Sequence, residues 1–404
     1  MAEPDGLDRV ELPAYVYDLD EVRRAHDRLR EALPAPGRIL YSLKANPHPA
    51  IVSTLGRLGC GAEVCSPGEL AAAVEAGQEP ATSILYTGPG KRDAEVAGAL
   101  AAGVRWFSVD SPAGLGQVRR LAAAAGVEAR CLLRVNGGPP VPGQALAMAG
   151  AASQFGADAA WVEAEPAAFR VGLAGLHLFL GSNLDGEAAL VSQLSAAVST
   201  ARRVAGALRL EPVLVDLGGG FAAPFARSGV LPRYPGLRDR VAGLLDGAFP
   251  GWREGRPAVA FESGRYLAAA CGSLLTRVAD VKRSHGQWVV VLESGINHLG
   301  GMSGLRRVPP IRPELVTGEG GGPGLCGAIV AGPLCTPLDT WARAADVPAL
   351  RPGDVVRVPN VGAYGLTASL LAFLGHPPPR EVVVDRGEVV EVSQLELVRR
   401  RVPR

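Results

Sequence analysis

The chain has 404 residues, of which 48% are hydrophobic and 20% charged. That is too long for one small domain and holds enough apolar material for a sizeable core, so disorder as the main state is excluded. Lys+Arg number 41 and Asp+Glu 40, a formal net charge of +1, which leaves no global basic field for a nucleic acid or an anionic membrane.

The opening stretch MAEPDGLDRVELP is acidic and polar, and the chain holds no run of about 18 apolar residues. Neither a signal peptide nor a membrane span is expected, and the chain reads as a cytoplasmic enzyme. VELPAYVYDL (10–19) is strand-like, and residues 1–37 are expected to contribute to a C-terminal sheet. From residue 38 short β-rich runs alternate with Ala-rich helical stretches. The strands are RILYSL (38–43), AEVCS (62–66), SILYTG (83–88), WFSVD (106–110), CLLRV (131–135), LAGLHLFL (173–180), VLVDLG (213–218) and AVAFES (258–263). Segments between them, such as PGELAAAVEAG and VRRLAAAAG, read as helices closed by glycine. The pattern predicts a (β/α)8 barrel over 38–275, a fold that typically takes about 250 residues. A doubly wound open sheet is the alternative from pattern alone.

Residues 276–404 change character. WVVVLES (288–294), CGAIVAG (326–332), DVVRVPN (354–360) and EVVVDRGEVVEVS (381–393) are strands joined by Gly/Pro-rich loops, a second, mostly β domain. TGEGGGPG (317–324) reads as a linker loop.

Six cysteines, Cys60, Cys65, Cys131, Cys271, Cys326 and Cys335, form no CxxC pair. All but Cys335 read as buried reduced thiols. The six histidines show no metal-ligand spacing, so no metal site is expected. Only three of the 41 cations are lysines, Lys44, Lys91 and Lys282. Few amines are therefore available for covalent chemistry.

In a barrel of this type functional groups gather at the C-terminal ends of the strands. Lys44 follows the first strand in YSLKANP, and Arg134 ends the fifth. His177, Phe179 and Ser182 lie in GLHLFLGSN at the sixth, Gly218, Gly219 and Gly220 follow the seventh, and Glu262, Gly264 and Arg265 form FESGR at the eighth. A desolvated Lys44 is able to form a Schiff base. Three successive glycines expose N–H groups that suit a phosphate. Glu262 suits a protonated ring nitrogen. Each has a plainer reading: a solvated lysine, a tight turn, an ion pair of Glu262 with Arg265. Together they describe a pyridoxal phosphate pocket.

The ordered motifs YSLKANP, GAEVCSPGEL, GLHLFLGSN, VDLGGGF, FESGR, GPLCTPLD and GAYG resemble the fold-type III pyridoxal phosphate decarboxylases, the family of diaminopimelate, ornithine and arginine decarboxylases, from about residue 10 to 395. The resemblance implies a barrel plus a β domain of alanine racemase-like architecture. It implies that Lys44 holds the cofactor, that Glu262 meets its ring nitrogen, and that Arg134 lies near its oxygen. Gly218, Gly219, Gly220, Gly264, Arg265, Ser182 and the phenol of Tyr364 are implied as its phosphate site. Glu63 stands where the family usually has Asp. Cys335 is implied as the acid that protonates the α-carbon, on a loop that enters the neighbouring subunit's site, with Thr336 and Asp339 at the substrate. A homodimer with shared sites follows from the same resemblance.

Three departures stand out. Ser263 replaces the family's usual Pro. Phe179 stands where diaminopimelate and ornithine decarboxylases usually carry a His on the cofactor ring; its face is able to stack but donates no hydrogen bond. His177, two residues earlier, is expected on the opposite face and is not counted as a replacement. Thr336 follows Cys335 where those enzymes place an acidic residue. GLHLFLGS, GINHL and GPLCTPLD together resemble a branch in natural-product assembly, some of whose members decarboxylate carrier-protein-linked intermediates.

The implied activity is decarboxylation of an amino acid or an amino-acid-containing biosynthetic intermediate, as a free small molecule or on a carrier protein. Alternatives are a diaminopimelate or other basic amino-acid decarboxylase, a catalytically silent homologue, and an amino-acid racemase. In racemases the ring nitrogen generally meets an arginine, so Glu262 favours decarboxylation. Arg306 and Arg307 in GGMSGLRR read as solvated arginines, or as receptors for a carboxylate or a phosphopantetheine phosphate.

Overall fold

The computed structural model describes residues 4–137, 146–147, 152–184, 186–300, 313–317 and 323–401. Arg306, Arg307 and the centre of the glycine-rich stretch lie outside them. By internal contacts the chain divides into one unit of Arg23–Ala223 with Leu231–Leu267, and another of Met1–Val22, Pro224–Val230 and Ala268–Arg404. The sequence had suggested boundaries at 37/38 and 275/276.

Strand β1 (Ala14–Asp18) belongs to the second of these units. The first unit contains β2 (Arg38–Ser42), β3 (Gly61–Val64), β4 (Ile84–Tyr86), β5 (Trp106–Val109), β6 (Arg130–Asn136), β7 (Leu146–Ala147), β8 (Ala157–Asp158), β9 (Leu173–Leu178), β10 (Gly181–Ser182), β11 (Leu214–Asp216) and β12 (Ala258–Ser263). Eight of these close a parallel ring in the order β2, β3, β4, β5, β6, β9, β11, β12 and back to β2. Each expected barrel strand has its counterpart, and the open-sheet alternative is ruled out by the closure. Two-residue β7 pairs with β10 outside the ring, and β8 with β6.

Local chemistry explains where the helices start. In GAEVCSPGEL, Ser66 Oγ accepts from the Glu69 N–H at 3.2 Å, and Glu69 Oε2 accepts from the Cys65 N–H at 2.7 Å. With Pro67 preset for the first helical position, the helix Pro67–Glu75 begins there. The floor of the barrel is a leucine layer. Leu40, Leu85, Leu132 and Leu214 come from β2, β4, β6 and β11, alternate members of the ring, and cluster with Ala260.

The second unit is built on an eight-stranded sheet. β13 (Gly272–Ser284) is its spine, joined by β14 (Gln287–Leu292), β15 (Leu325–Ala331), β16 (Thr340–Val347), β17 (Val355–Val358), β18 (Arg380–Asp385) and β19 (Glu388–Gln394). The order is β16-β15-β14-β13-β1-β18-β19, with β17 also on β13. β1 pairs antiparallel with β13 and parallel with β18, as expected for a strand that joins the C-terminal sheet. Two strands escaped the sequence reading. β16 is alanine-rich, TWARAADV, and of weak strand propensity; β13 carries charges through its outer half and straddles the expected boundary. Leu7, Ala14, Val16, Val382 and Val384 form a core cluster here. Among the described residues no helix is long and apolar enough to cross a membrane.

The cysteine expectation needs correction. Cys60, Cys131 and Cys271 are buried, but Cys65 and Cys326 are exposed. Cys65 sits at a strand exit before a helix cap, and Cys326 points outward on β15, where the period of two turns alternate side chains to solvent.

Candidate active site

The barrel interior changes from apolar to polar just above the leucine floor. Two residues further along the same strands stand Ser42, Thr87, Arg134 and Asp216. The intervening strands supply Glu63, Ser108, His177 and Glu262. All eight are buried. So many polar groups are tolerable only where they satisfy one another. Ser108 Oγ lies 2.8 Å from His177 Nδ1. His177 Nε2 lies 3.2 Å from Glu262 Oε1, an ion-pair distance slightly off good hydrogen-bond alignment. Thr87 donates its hydroxyl to Glu63, and Glu63 Oε2 is 3.4 Å from Lys44 Nζ. Asp216 Oδ1 accepts from the Gly218 N–H at 2.9 Å.

His177 therefore corrects an expectation. Strand side chains repeat every two residues, so positions 177 and 179 share a face. His177 points into the barrel and reaches Glu262, while Phe179 lies just beyond β9. Sequence reasoning also passed over Ser108, Thr87 and Asp216. Their signal was present: a polar residue flanked by apolar ones inside or at the end of a strand, as Ser108 in WFSVD and Asp216 in VLVDLG.

Lys44 projects from the helical turn Leu43–Ala45 that follows β2. Its side chain is 35% exposed, so the amine faces the barrel mouth. Nζ lies 5.5 Å from the Phe179 ring centroid, and the Arg134 guanidinium 5.8 Å from the same ring and 4.7 Å from Phe155. One aromatic ring thus meets two cations. Lys91 is differently placed. It donates to the Gly88 carbonyl and, at 2.7 Å, to that of Ser108, and burial pulls its amine down to about 8.

Two neighbouring carboxyls are driven apart. Burial works against ionisation of Glu262, but His177, Lys44 and Arg134 together outweigh it and hold the carboxyl below its usual range. Asp216 goes the other way: burial first, then the charge of Glu262, push it well above the usual range. The two shifts run in opposite directions, Glu262 towards its ionised form and Asp216 towards its protonated one.

The glycine loop after β11 has its carbonyls tied back. Glu262 N–H donates to Gly218 O at 2.8 Å, Gln193 Nε2 to Gly219 O at 2.7 Å, and Leu184 N–H to Gly220 O at 2.9 Å. The Gly219 and Gly220 amides meet no protein acceptor among the described residues. Gly218 and Gly220 have φ of 67° and 115°, which L side chains rarely adopt, and a Cβ on Gly219 would run into the Glu262 carbonyl. Ser182, in β10, is partly buried, and the Gly220 loop packs against the neighbouring Gly181 carbonyl. A Cβ on Gly264 would meet Ala45 at 2.8 Å, so FESGR packs against the Lys44 turn. Arg265 opens the short helix Arg265–Ala268. An amine at the mouth, an ionised carboxylate below it and two open amides fit pyridoxal phosphate.

Cys335, Thr336, Asp339 and Tyr364 belong to the second unit. Cys335 is exposed on the loop between β15 and β16. Thr336 Oγ1 accepts from the Leu338 N–H at 3.3 Å, a contact within its own turn. Asp339, expected at the substrate, is 2% exposed. Its Oδ1 accepts from the Ile296 N–H and its Oδ2 from the Leu334 N–H, both at 2.8 Å. Gly295 and Gly332 lie so close to this carboxylate that a Cβ on either would collide with it. Asp339 is thus a clamp that locks GINHL to GPLCTPLD, with one amide on each carboxylate oxygen. Within GINHL, Ser294 and the Pro377 carbonyl hold the His298 ring at 3.1 and 3.0 Å, and burial lowers its imidazole to about 4. Tyr364 takes a left-handed backbone, φ 56°.

Residues 19–269 match the family model described as pyridoxal-dependent decarboxylase, pyridoxal binding domain. The chain is 31% identical over 407 residues to an L-glutamyl-[BtrI acyl-carrier protein] decarboxylase from Niallia circulans, covering 97% of this chain and 92% of the relative. It is also 31% identical over 415 residues to a diaminopimelate decarboxylase from Methanothermobacter thermautotrophicus, with the same coverage of 97% and 92%. A crystal structure of diaminopimelate decarboxylase from Helicobacter pylori complexed with L-lysine has the same fold, with a TM-score of 0.80 at 24% identity, covering 95% of this chain and 93% of that one. With a polar-lined (β/α)8 barrel, a mostly β second unit and these relatives, the chain belongs to the pyridoxal phosphate-dependent decarboxylases of fold type III.

Proposed function

We propose that this amino-acid decarboxylase acts on a substrate whose far end is neutral, an amide or a carrier-protein thioester rather than a free basic amino acid. One observation carries the reading. In the loop after Cys335, the position next to it is the uncharged Thr336, and the only carboxylate, Asp339, is buried and turned to two backbone amides. This loop offers no counter-charge to a distal ammonium. Removing one partner of a buried ion pair costs about 3–5 kcal/mol, roughly two to three orders of magnitude in specificity. The carrier-linked glutamyl decarboxylase among the relatives supports the reading, and the diaminopimelate decarboxylase makes the basic amino acids the competing substrates.

The bound cofactor supplies an electron sink for the electron pair left at the α-carbon when carbon dioxide departs. In the proposed site Lys44 attaches it, and Glu262 holds a proton at the ring nitrogen. Gly218, Gly219, Gly220, Gly264, Ser182, Arg265 and Tyr364 bind the phosphate. Arg134 faces the ring oxygen, and Phe179 offers its face to the ring. Cys335 from the second subunit of a homodimer protonates the α-carbon.

The test measures carbon dioxide release from diaminopimelate, lysine, ornithine and arginine beside a glutamyl thioester on a carrier protein. The thioester is expected to turn over and the basic amino acids to give negligible release. A kcat/KM of about 10⁴ M⁻¹s⁻¹ or more with a basic amino acid overturns the proposal.

A further inference from the structure

Two buried side chains with no assigned role flank Glu262. His177 is 1% exposed and Asp216 fully buried. One donor atom of each lies with one of Glu262 inside a 4.8 Å span. The leucine floor beneath offers no hydrogen-bond donor. The buried side chains that bear on Glu262 within the barrel therefore include His177 and Asp216, beside Arg134, while Lys44 acts from the mouth side.

We infer that His177 and Asp216 are positioning residues that keep Glu262 ionised, so that the proton it shares with the cofactor's ring nitrogen rests on the ring. The anchors set the direction of each donor. Ser108 faces His177 Nδ1 at 2.8 Å. With its hydroxyl donating there, the imidazole carries its own proton on Nε2, the atom 3.2 Å from Glu262. The Ser108 backbone is itself held, its carbonyl accepting from Lys91 at 2.7 Å. In Asp216, Oδ1 accepts from the Gly218 N–H at 2.9 Å. Oδ2 has no hydrogen-bond partner of its own and is the oxygen left to carry the proton towards Glu262.

A proton between a carboxylate and a pyridine nitrogen rests on the more basic of the two. Each donor or cation aimed at Glu262 stabilises its charged form and makes it the weaker base. The ring then keeps the proton and stays the better acceptor of electrons. The low range of Glu262 and the raised Asp216 agree with this division.

The experiment loads the enzyme with cofactor labelled with ¹⁵N at the ring and reads that nitrogen by NMR, without turnover. Wild type is expected at the pyridinium position. His177→Ala and Asp216→Ala are expected to shift towards unprotonated pyridine. His177→Gln and Asp216→Asn, which keep a donor, are expected to hold the wild-type position. A merely structural role would alter loading or melting but not this shift. If His177→Ala does not load, Ser108→Ala, which removes one oxygen, is expected to shift in the same direction. An unchanged pyridinium signal in loaded His177→Ala, or in Ser108→Ala where the first does not load, overturns the inference.

Discussion

Asp216 is a carboxyl held well above its ordinary range. Folding raises its carboxyl through burial and the charge of Glu262. A carboxyl raised on folding binds its proton more tightly in the native state. Stability therefore falls as pH rises from the unfolded value, about 3.9, towards the folded one, with a slope of up to about 1.4 kcal/mol per pH unit. Glu262 has the opposite sign: its contribution is present above about 4.3 and is lost as pH falls towards its lowered folded value. Asn at 216 mimics the protonated acid, keeping an acceptor for Gly218 and a donor for Glu262. Asp216→Asn is expected to flatten the decline between pH 4 and pH 7 and to melt at or above wild type at pH 7. Asp216→Ala is expected to melt lower. Thermal melts across that range decide; parallel curves for wild type and Asp216→Asn would show Asp216 to be ionised in the fold.

At the scale of elements, the loop that carries Cys335 is held by one buried carboxylate. Asp339 joins residues on either side of β15 through the Ile296 and Leu334 amides. Hydrogen bonds to a charged group contribute about 1.5–3 kcal/mol each. Asp339→Ala is therefore expected to destabilise the fold by about 3 kcal/mol or more, read as a lowered urea midpoint. Asp339→Asn, which keeps one acceptor, is expected to fall between. Gly332→Ala is expected to resemble Asp339→Ala, because a Cβ there occupies the space of the carboxylate. A midpoint equal to wild type in Asp339→Ala would remove the clamp from the account. The substrate role of Asp339 was read from motif position alone. Its burial follows from a contact 43 residues away in sequence, which no local pattern announces.

At the scale of the whole molecule, the proposed dimer makes a complementation prediction. Lys44→Ala and Cys335→Ala subunits are each expected to be inactive on the best substrate of the assay above. Mixed in equal amounts and allowed to exchange, they are expected to recover about one quarter of wild-type activity. Half of randomly paired dimers are mixed, and half of their sites are intact when each site draws on both subunits. Carbon dioxide release is the readout. No recovery, with mixed dimers shown by mass spectrometry, would place Lys44 and Cys335 of one site on the same chain.

The eight barrel strands were legible in the sequence because each is a local event: a short apolar run bounded by turns and helical stretches. The residues at the strand ends were legible because a barrel gathers them on one rim. Lys44, Glu262 and the three glycines needed nothing more. What only the tertiary structure decided is which polar side chains meet inside. Ser108 and His177 are 69 residues apart and meet because β6 lies between β5 and β9, with Ser108 opposite Leu132 and His177 opposite Arg134. The same closure sets His177 against Glu262 across the interior. Each strand announces an inward-facing polar residue, but its partner depends on register between strands, which a linear pattern does not carry. The charge division between Glu262 and Asp216 follows from that register and from burial, both properties of the closed barrel and of neither strand alone.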